Sequence, residues 1–314
     1  MRWVRMDRER WEIWKGHVAV AMVLLIAIAL SSCKVAGVDG KLTLENTAAD
    51  TQATLGSTVS APGIESSTPR VIGPVAFEEA EAVYREGRYG EATARFSAYV
   101  EGKPENAWGH YLLGLSAWKA GETERAEAAF GKALELDSKH LKSWLNLSRV
   151  LLETGRPDEA LDHLGRALEL DSGSAEVYRL IGRARHDRGQ VDDAIVAYRT
   201  AVSLDDQDAW ALNNLGVLFI EQGLPGDAIG ALARAVDLRP DVAVFHNNLG
   251  MALERWGYFE AAQDQYRLAV ESDPGHARAG ANLRRIERRG DEEGLPPLDL
   301  PTLAREFLEE VIRR

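Results

Sequence analysis

The chain has 314 residues, 45% hydrophobic and 27% charged, a balance ordinary for a soluble globular protein and a length that suits one or two domains. The net charge is −12; the first 33 residues carry five basic and three acidic side chains, a net +2, which leaves −14 for the rest. Such an acidic body repels a phosphate backbone and has few cations to displace its counterions, which sets nucleic acid aside as a partner. The lone cysteine, Cys33, rules out an intramolecular disulfide or a cysteine-rich metal site.

Residues 1–33 read as a leader: a basic segment, a thirteen-residue apolar run at 18–30 (VAVAMVLLIAIAL), then Ser31, Ser32 and Cys33. The run falls short of the ~20 residues that a membrane-spanning helix needs. Leu30-Ser31-Ser32-Cys33 resembles the bacterial lipobox, an aliphatic residue and two small residues before a cysteine. That resemblance implies cleavage before Cys33 and lipid on its thiol, a stable anchor once several acyl chains each contribute about 0.8 kcal/mol per buried CH₂. An uncleaved signal anchor is the other reading, since the uncharged span 16–32 has seventeen residues, barely enough for a thin bilayer. Lys34, rather than an aspartate, follows the cysteine, which in the lipoprotein resemblance leans toward the outer membrane. Residues 34–74 are rich in Thr, Ser, Ala and Gly, hold no aromatic residue, and cannot bury enough surface to offset their ordering entropy; they are expected to form a flexible tether.

From about residue 75 a clock of thirty-four residues begins. Glycines stand at 87, 121, 155, 189, 223 and 257, and alanines at 92, 126, 160, 194, 228 and 262. A third row runs Tyr99, Ala133, Ala167, Ala201, Ala235, Ala269, and a fourth Phe96, Phe130, Leu164, Tyr198, Leu232, Tyr266. Four registers over six periods indicate internal repetition. Each period holds two apolar stripes at helical spacing, for example Leu212, Leu215, Gly216 and Phe219, then Ala228, Leu232 and Ala235. Gly223 ends the first helix, and Pro225, like Pro157 two periods earlier, suits the first position of the second.

These residues resemble the tetratricopeptide repeat. Trp144, Tyr178 and Leu212 take its fourth place; Leu113-Gly114, Ile181-Gly182, Leu215-Gly216 and Leu249-Gly250 its seventh and eighth; Pro104, Pro240 and Pro274 its thirty-second. The likeness covers residues 73–274 in six repeats, with departures at Ser148 and Ala80 in the eighth place and Arg185 in the eleventh. The fold class implied is all-α: a right-handed α-solenoid of about six helix-turn-helix repeats over residues 75–289, closed by a capping helix at 277–289 that is polar on its outer side. Residues 290–314 read as a linker and a short amphipathic helix, TLAREFLEEVIRR, with Leu303, Phe307, Leu308, Val311 and Ile312 on one side; it either folds back on the solenoid or docks on a partner.

Places 2, 5, 6, 9, 12 and 13 of each repeat share the flank of the first helix away from its core stripe. In tetratricopeptide arrays that flank lines the inner groove, and in some superhelical members an asparagine at place 6 bonds the backbone of an extended peptide. Here Asn213, Asn214, Asn247 and Asn248 hold places 5 and 6 of two repeats, and Asn146 and Asn282 hold place 6 of two more. The ladder is interrupted by Leu112 and Leu180. The competing reading is that the amides tie neighbouring helices together or face water. Lys142, Arg149, Arg179 and Arg183 fall at places 2, 9, 5 and 9, a basic patch suited to an acidic peptide or a terminal carboxylate, or else simple charge balance against Glu153, Glu176 and Asp187. They do not match the Lys-5, Asn-9 clamp of chaperone-binding members. Trp108, Trp118 and Trp210, at places 2 and 12, complete the candidate peptide-binding set.

No glycine-rich phosphate loop occurs, the seven histidines are scattered without a zinc-protease pairing, and no segment outside the repeats could hold a catalytic domain. The expectation is a non-enzyme without cofactor or metal: a lipid-anchored scaffold that binds a protein or peptide at a bacterial envelope. A factor resembling the lipoproteins that pilot secretins or assist outer-membrane assembly, and a purely structural envelope spacer, are the alternatives.

Overall fold

Six periods of the sequence become six helix pairs in a computed structural model that describes residues 76–287, 295 and 297–313. The leader 1–33 with Cys33, the tether 34–74 and most of the linker after residue 287 lie outside the described residues. The pairs are α1 (Phe77–Arg85) with α2 (Tyr89–Gly102), α3 (Ala107–Lys119) with α4 (Thr123–Leu136), α5 (Leu141–Glu153) with α6 (Pro157–Leu170), α7 (Ala175–Asp187) with α8 (Val191–Leu204), α9 (Ala209–Glu221) with α10 (Pro225–Leu238), and α11 (Ala243–Trp256) with α12 (Phe259–Ser272). Two further helices follow, α13 (Ala277–Ile286) and α14 (Leu300–Arg313), and no strand occurs among the described residues. From α1 to α13 consecutive helices pack on one another, and first helices of successive repeats also meet, as α9 does α11. The protein is therefore an all-α repeat solenoid, in which each repeat buries its apolar surface against the next.

Two of the sequence rows explain the pairing. The glycine row closes every first helix at positive φ, between 72° and 96°, where a side chain would be strained. At Gly223, for instance, the turn lets the next residue, Leu224, donate its N–H back to the carbonyl of Phe219 at 2.8 Å. The eighth-place glycines serve a different end. A Cβ on Gly216 would lie 2.5 Å from Leu232 Cγ, and one on Gly114 2.7 Å from the Phe130 ring, so the helices of a pair touch backbone to side chain. Where that row departs, Ser148 is buried and turns its hydroxyl to the carbonyl of Trp144 at 2.8 Å, and Ala80 fits with no exposure. Arg185, the departure at the eleventh place, reaches Gln190 Oε1 at 2.9 Å.

A fifth row emerges at the helix starts. Asn106, His140, Ser174, Asp208 and His276, at intervals of thirty-four (or twice that), each accept a hydrogen bond from the backbone N–H three residues on. Val242, before α11, interrupts this set of caps, and Ala76, before α1, has no side-chain cap either. Pro157 and Pro225 occupy the first turns of α6 and α10, where the missing N–H costs nothing.

The end helix folds back. α14 lies on α10 and α8, the second helices of two repeats. Phe307 meets Phe219 edge to face with ring centres 6.3 Å apart. Gly230 makes the approach possible: a Cβ there would fall 2.7 Å from Phe307 Cβ and 2.9 Å from the Leu303 carbonyl. Val196, Asp162, Ala128 and Asp264 stand in the same place of other repeats, so this seat exists on α10 alone.

Candidate peptide-binding site on the first-helix face

The residues singled out on the first helices do not form one continuous surface. The structure divides them into an amide chain, a buried arginine pair and a pocket.

The amide chain runs through the last three repeats. Asn282 donates to Asn247 Oδ1 at 3.0 Å, Asn247 to Asn248 Oδ1 at 3.3 Å, Asn248 to Asn213 Oδ1 at 2.9 Å, Asn213 to Asn214 Oδ1 at 3.2 Å, and Asn214 to the Tyr198 phenol oxygen at 3.3 Å. Asn213, Asn214, Asn247 and Asn248 are between 2% and 8% exposed. Each amide both gives and receives, and the chain links first helix to first helix. The structure thus spends these asparagines on tying repeats together; they are not laid out as a row of free amides.

The links follow one rule: a side chain at place 5 of one repeat meets place 6 of the next, thirty-five residues on. Asn213 and Asn248, Asn247 and Asn282, and Tyr111 with Asn146 (3.4 Å) obey it. A parallel seam joins place 12 to place 13. Trp118 Nε1 donates to Glu153 at 2.7 Å, His186 Nε2 lies 2.9 Å from Glu221, and Arg255 reaches the carbonyl of Ile220 at 2.9 Å.

The arginine pair is similarly engaged. Arg179 Nε donates to Asp208 Oδ2 at 2.8 Å while Asp208 Oδ1 caps α9 through the N–H of Ala211 at 3.0 Å, so one carboxylate joins two repeats. Arg183 is 5% exposed and lies 3.8 Å from Asp187. Burial lowers the Arg183 pKa and raises that of Asp187, each partly offset by the other. The four basic residues therefore do not form a single patch, because Arg179 and Arg183 point into the helix packing. Trp210 is buried too, edge-on to Phe245 at 4.8 Å. Trp108 stands apart at 44% exposure, stacked 5.0 Å from Tyr111 and edge-on to His140, over a separate hollow with Phe77 and Tyr99.

One hollow, lined by Arg179, Asp208 and Trp210 with Glu176, lies between repeats four and five, and a pocket of about 350 Å³ lies on the first helices of repeats one to three with Glu176 of the fourth at its edge. Tyr84, Tyr111, Leu115 and Trp118 form its apolar floor, and Lys119, Lys142 and Arg149 stand around it. Arg149 is held in place by Asn146 Oδ1 at 2.8 Å and by the Glu176 carboxylate. Lys119 Nζ lies 5.3 Å from the Trp118 ring centre, within cation–π reach, and Lys142 is exposed. Burial raises the Tyr84 pKa to about 12, with Tyr89 adding to it, and burial also raises that of Tyr111, so both phenols stay neutral donors at physiological pH. Chemically the pocket offers aromatic faces beside three cations and one paired acid. No group of three or more His, Cys, Asp or Glu among the described residues is placed to hold a metal ion. Tyr84, Tyr111, Leu115, Lys119 and Leu145 were not among the sequence candidates; Tyr84 sits at place 12 of the first repeat, the place that marked Trp118, and Tyr111 at place 5, so the same register holds the signal for both.

Comparison with known proteins agrees with the architecture. Tetratricopeptide-repeat family models match residues 77–140 and 213–277, 117–184, and 182–223. No curated protein matches the chain. Among solved structures, pilF of Pseudomonas aeruginosa is similar at 20% identity and a TM-score of 0.54, over 67% of this chain and 90% of that one. TTC0263, a thermophilic TPR protein of Thermus thermophilus, is similar at 18% identity and a TM-score of 0.50, over 58% of this chain and 99% of that one. A chain of the APC/C hetero-tetramer Cut9–Hcn1 gives 18% identity and a TM-score of 0.59, over 66% and 41%. At these identities the likeness shows a shared fold.

Proposed function

We infer, from a chain whose residues 77–277 are tetratricopeptide repeats, that this protein is an interaction scaffold that holds a protein or peptide partner on its first-helix face. The observation that carries this reading is the pocket of repeats one to three, where Trp118, Tyr111 and Tyr84 lie beside Lys142 and Arg149 in an otherwise acidic chain. Aromatic anchors with charged rims are where interfaces concentrate their energy. The pocket is also built before binding: the Trp118–Glu153 bond and the Asn146 and Glu176 contacts of Arg149 fix the side chains, which lowers the ordering cost of association. In this reading Asn213, Asn214, Asn247, Asn248 and Asn282 act by stiffening the C-terminal repeats, and the partner is engaged mainly through repeats one to three.

The lipobox-like Leu30-Ser31-Ser32-Cys33 supports a lipid anchor at Cys33, and the tether 34–74 would then hold the solenoid off a bacterial envelope membrane, the outer membrane by the Lys34 argument. Intact mass of the N-terminal peptide from native membranes tests this: acyl mass on Cys33 is expected, and an unmodified Cys33 within an uncleaved chain overturns it. The binding reading is tested by affinity capture with Lys142→Glu. A partner held through the pocket is lost from the variant and retained by Arg166→Glu on the second helix of the same repeat. Equal capture by both variants overturns the assignment.

A further inference from the structure

The polar side chains that line the pocket of repeats one to three are almost all donors. Tyr84 and Tyr111 keep their phenol protons, Lys119, Lys142 and Arg149 carry positive charge, and Asn146 gives its Oδ1 to Arg149. The one carboxylate in the lining is Glu176, and it is already spent on Arg149. Lys142 is exposed and has no carboxylate partner among the described residues. An apolar floor ringed by donors lacks an acceptor.

Arg149 is gripped unequally by its two arms. One terminal nitrogen donates to Asn146 Oδ1 at 2.8 Å, and Asn146 lies on the same helix and is 6% exposed. The other reaches across to Glu176 in the first turn of α7. The Arg149 side chain is 16% exposed and that of Glu176 40%, so the acid is the partner with room to leave. Glu176 also lines the next hollow, with Arg179 and Arg239, and the N-terminal turn of α7 favours a negative charge with or without Arg149. A carboxylate released from Arg149 therefore keeps favourable surroundings, while Asn146 keeps the guanidinium at the pocket.

We propose, resting on the reading that this pocket holds the partner, that the partner's segment carries a large apolar side chain beside a carboxylate, and that this carboxylate displaces Glu176 from Arg149. Glu176 is a placeholder: it holds the guanidinium in position in the free protein and yields it to a better-placed acid. The apolar side chain covers the floor of Tyr84, Leu115 and Trp118, and Lys142 adds a second positive charge beside the incoming carboxylate. A segment without an acid leaves the Arg149–Glu176 pair intact and gains nothing from it, so Glu176 makes the pocket selective for an acidic partner.

Fluorescence anisotropy of the full chain in detergent tests the proposal. The probes are a fluorescein-labelled, amidated Gly-Ser-Gly-Phe-Glu-Gly-Ser, its Phe-Gln counterpart, and a neutral peptide that ends in Phe with a free carboxylate. The wild type is expected to bind an acidic probe about tenfold more tightly than the Phe-Gln one; its preference between the two acidic probes tells a side-chain acid from a chain end. Glu176→Gln removes the competitor at a half-exposed position. It is expected to tighten the acidic probe about fivefold and to leave the Phe-Gln probe unchanged. In an Arg149→Gln background that gain disappears, which separates competition for the guanidinium from a general change of charge. Equal affinity for the acidic and Phe-Gln probes, or none for either, overturns the proposal, as does a Glu176→Gln chain that binds the acidic probe no better than wild type. These results leave standing a pocket whose captured partner is lost with Lys142→Glu; a capture indifferent to Lys142→Glu overturns the underlying reading as well.

Discussion

Replacing Asn248 with alanine breaks the amide chain at its centre. Two hydrogen bonds are lost, to Asn213 at 2.9 Å and from Asn247 at 3.3 Å. Each is worth about 1 kcal/mol net, and Asn213 Oδ1, in a residue only 2% exposed, is left with no donor at a further cost of about 1–3 kcal/mol. The expected destabilisation is about 3–5 kcal/mol. It falls on the interface between two repeats, so it should spread to both neighbours in a solenoid whose stability is a sum of repeat and interface terms. Urea unfolding followed by circular dichroism measures the total. A double-mutant cycle with Asn213→Ala isolates the shared bond: the double variant should cost about 1 kcal/mol less than the two single variants together. Solvent-facing amides that wait for a ligand would give changes within about 0.5 kcal/mol; that result, with no coupling between the two positions, would refute the stitching role.

Close packing at the eighth place makes Gly114→Ala unfavourable, because its Cβ would sit 2.7 Å from the Phe130 ring; a loss of about 1–3 kcal/mol is expected in thermal unfolding, against a gain if Phe130 moves aside freely. Gly230→Ala should lift α14 from its seat while sparing the solenoid, seen as faster hydrogen exchange confined to residues 300–313. His140 and His163 both have pKa values lowered by burial, so the unfolded chain takes up their protons first as pH falls. Their effect on stability is therefore flat above about pH 6.5 and becomes a loss below it. His140 also caps α5 through its unprotonated Nδ1, so His140→Asn should keep the cap and reduce the acid sensitivity of the urea midpoint between pH 7 and 5; an unchanged slope contradicts this assignment.

The glycine and alanine rows were legible in the sequence because they answer local demands, a turn at positive φ and a close approach within one helix pair, that recur unchanged in every repeat. The flank that carries Asn213 and Asn248 was legible for the same reason. Which atoms those amides meet was not, since the place 5 to place 6 link depends on how far each repeat rotates on the next. Arg179 shows the same limit. Its register pointed to the first-helix face, but its partner Asp208 belongs to the following repeat and already caps α9. The cap row of Asn106, His140, Ser174, Asp208 and His276 keeps the thirty-four-residue interval of the glycines except at Val242, yet it varies in residue type because several side chains can accept one backbone N–H. The seat of α14 rests on one residue, Gly230, and a signal that occurs in a single repeat does not stand out from a pattern read by recurrence.

Capture of a partner at the pocket of repeats one to three is tested most directly by photo-crosslinking in intact cells. The crosslinking amino acid is placed at position 142, beside that pocket, and at position 166, on the second helix of the same repeat. The prediction is a discrete crosslinked species from position 142 that disappears with Arg149→Ala and is absent from position 166. The same species from both positions, or from 166 alone, would contradict the assignment of the first-helix face as the binding surface.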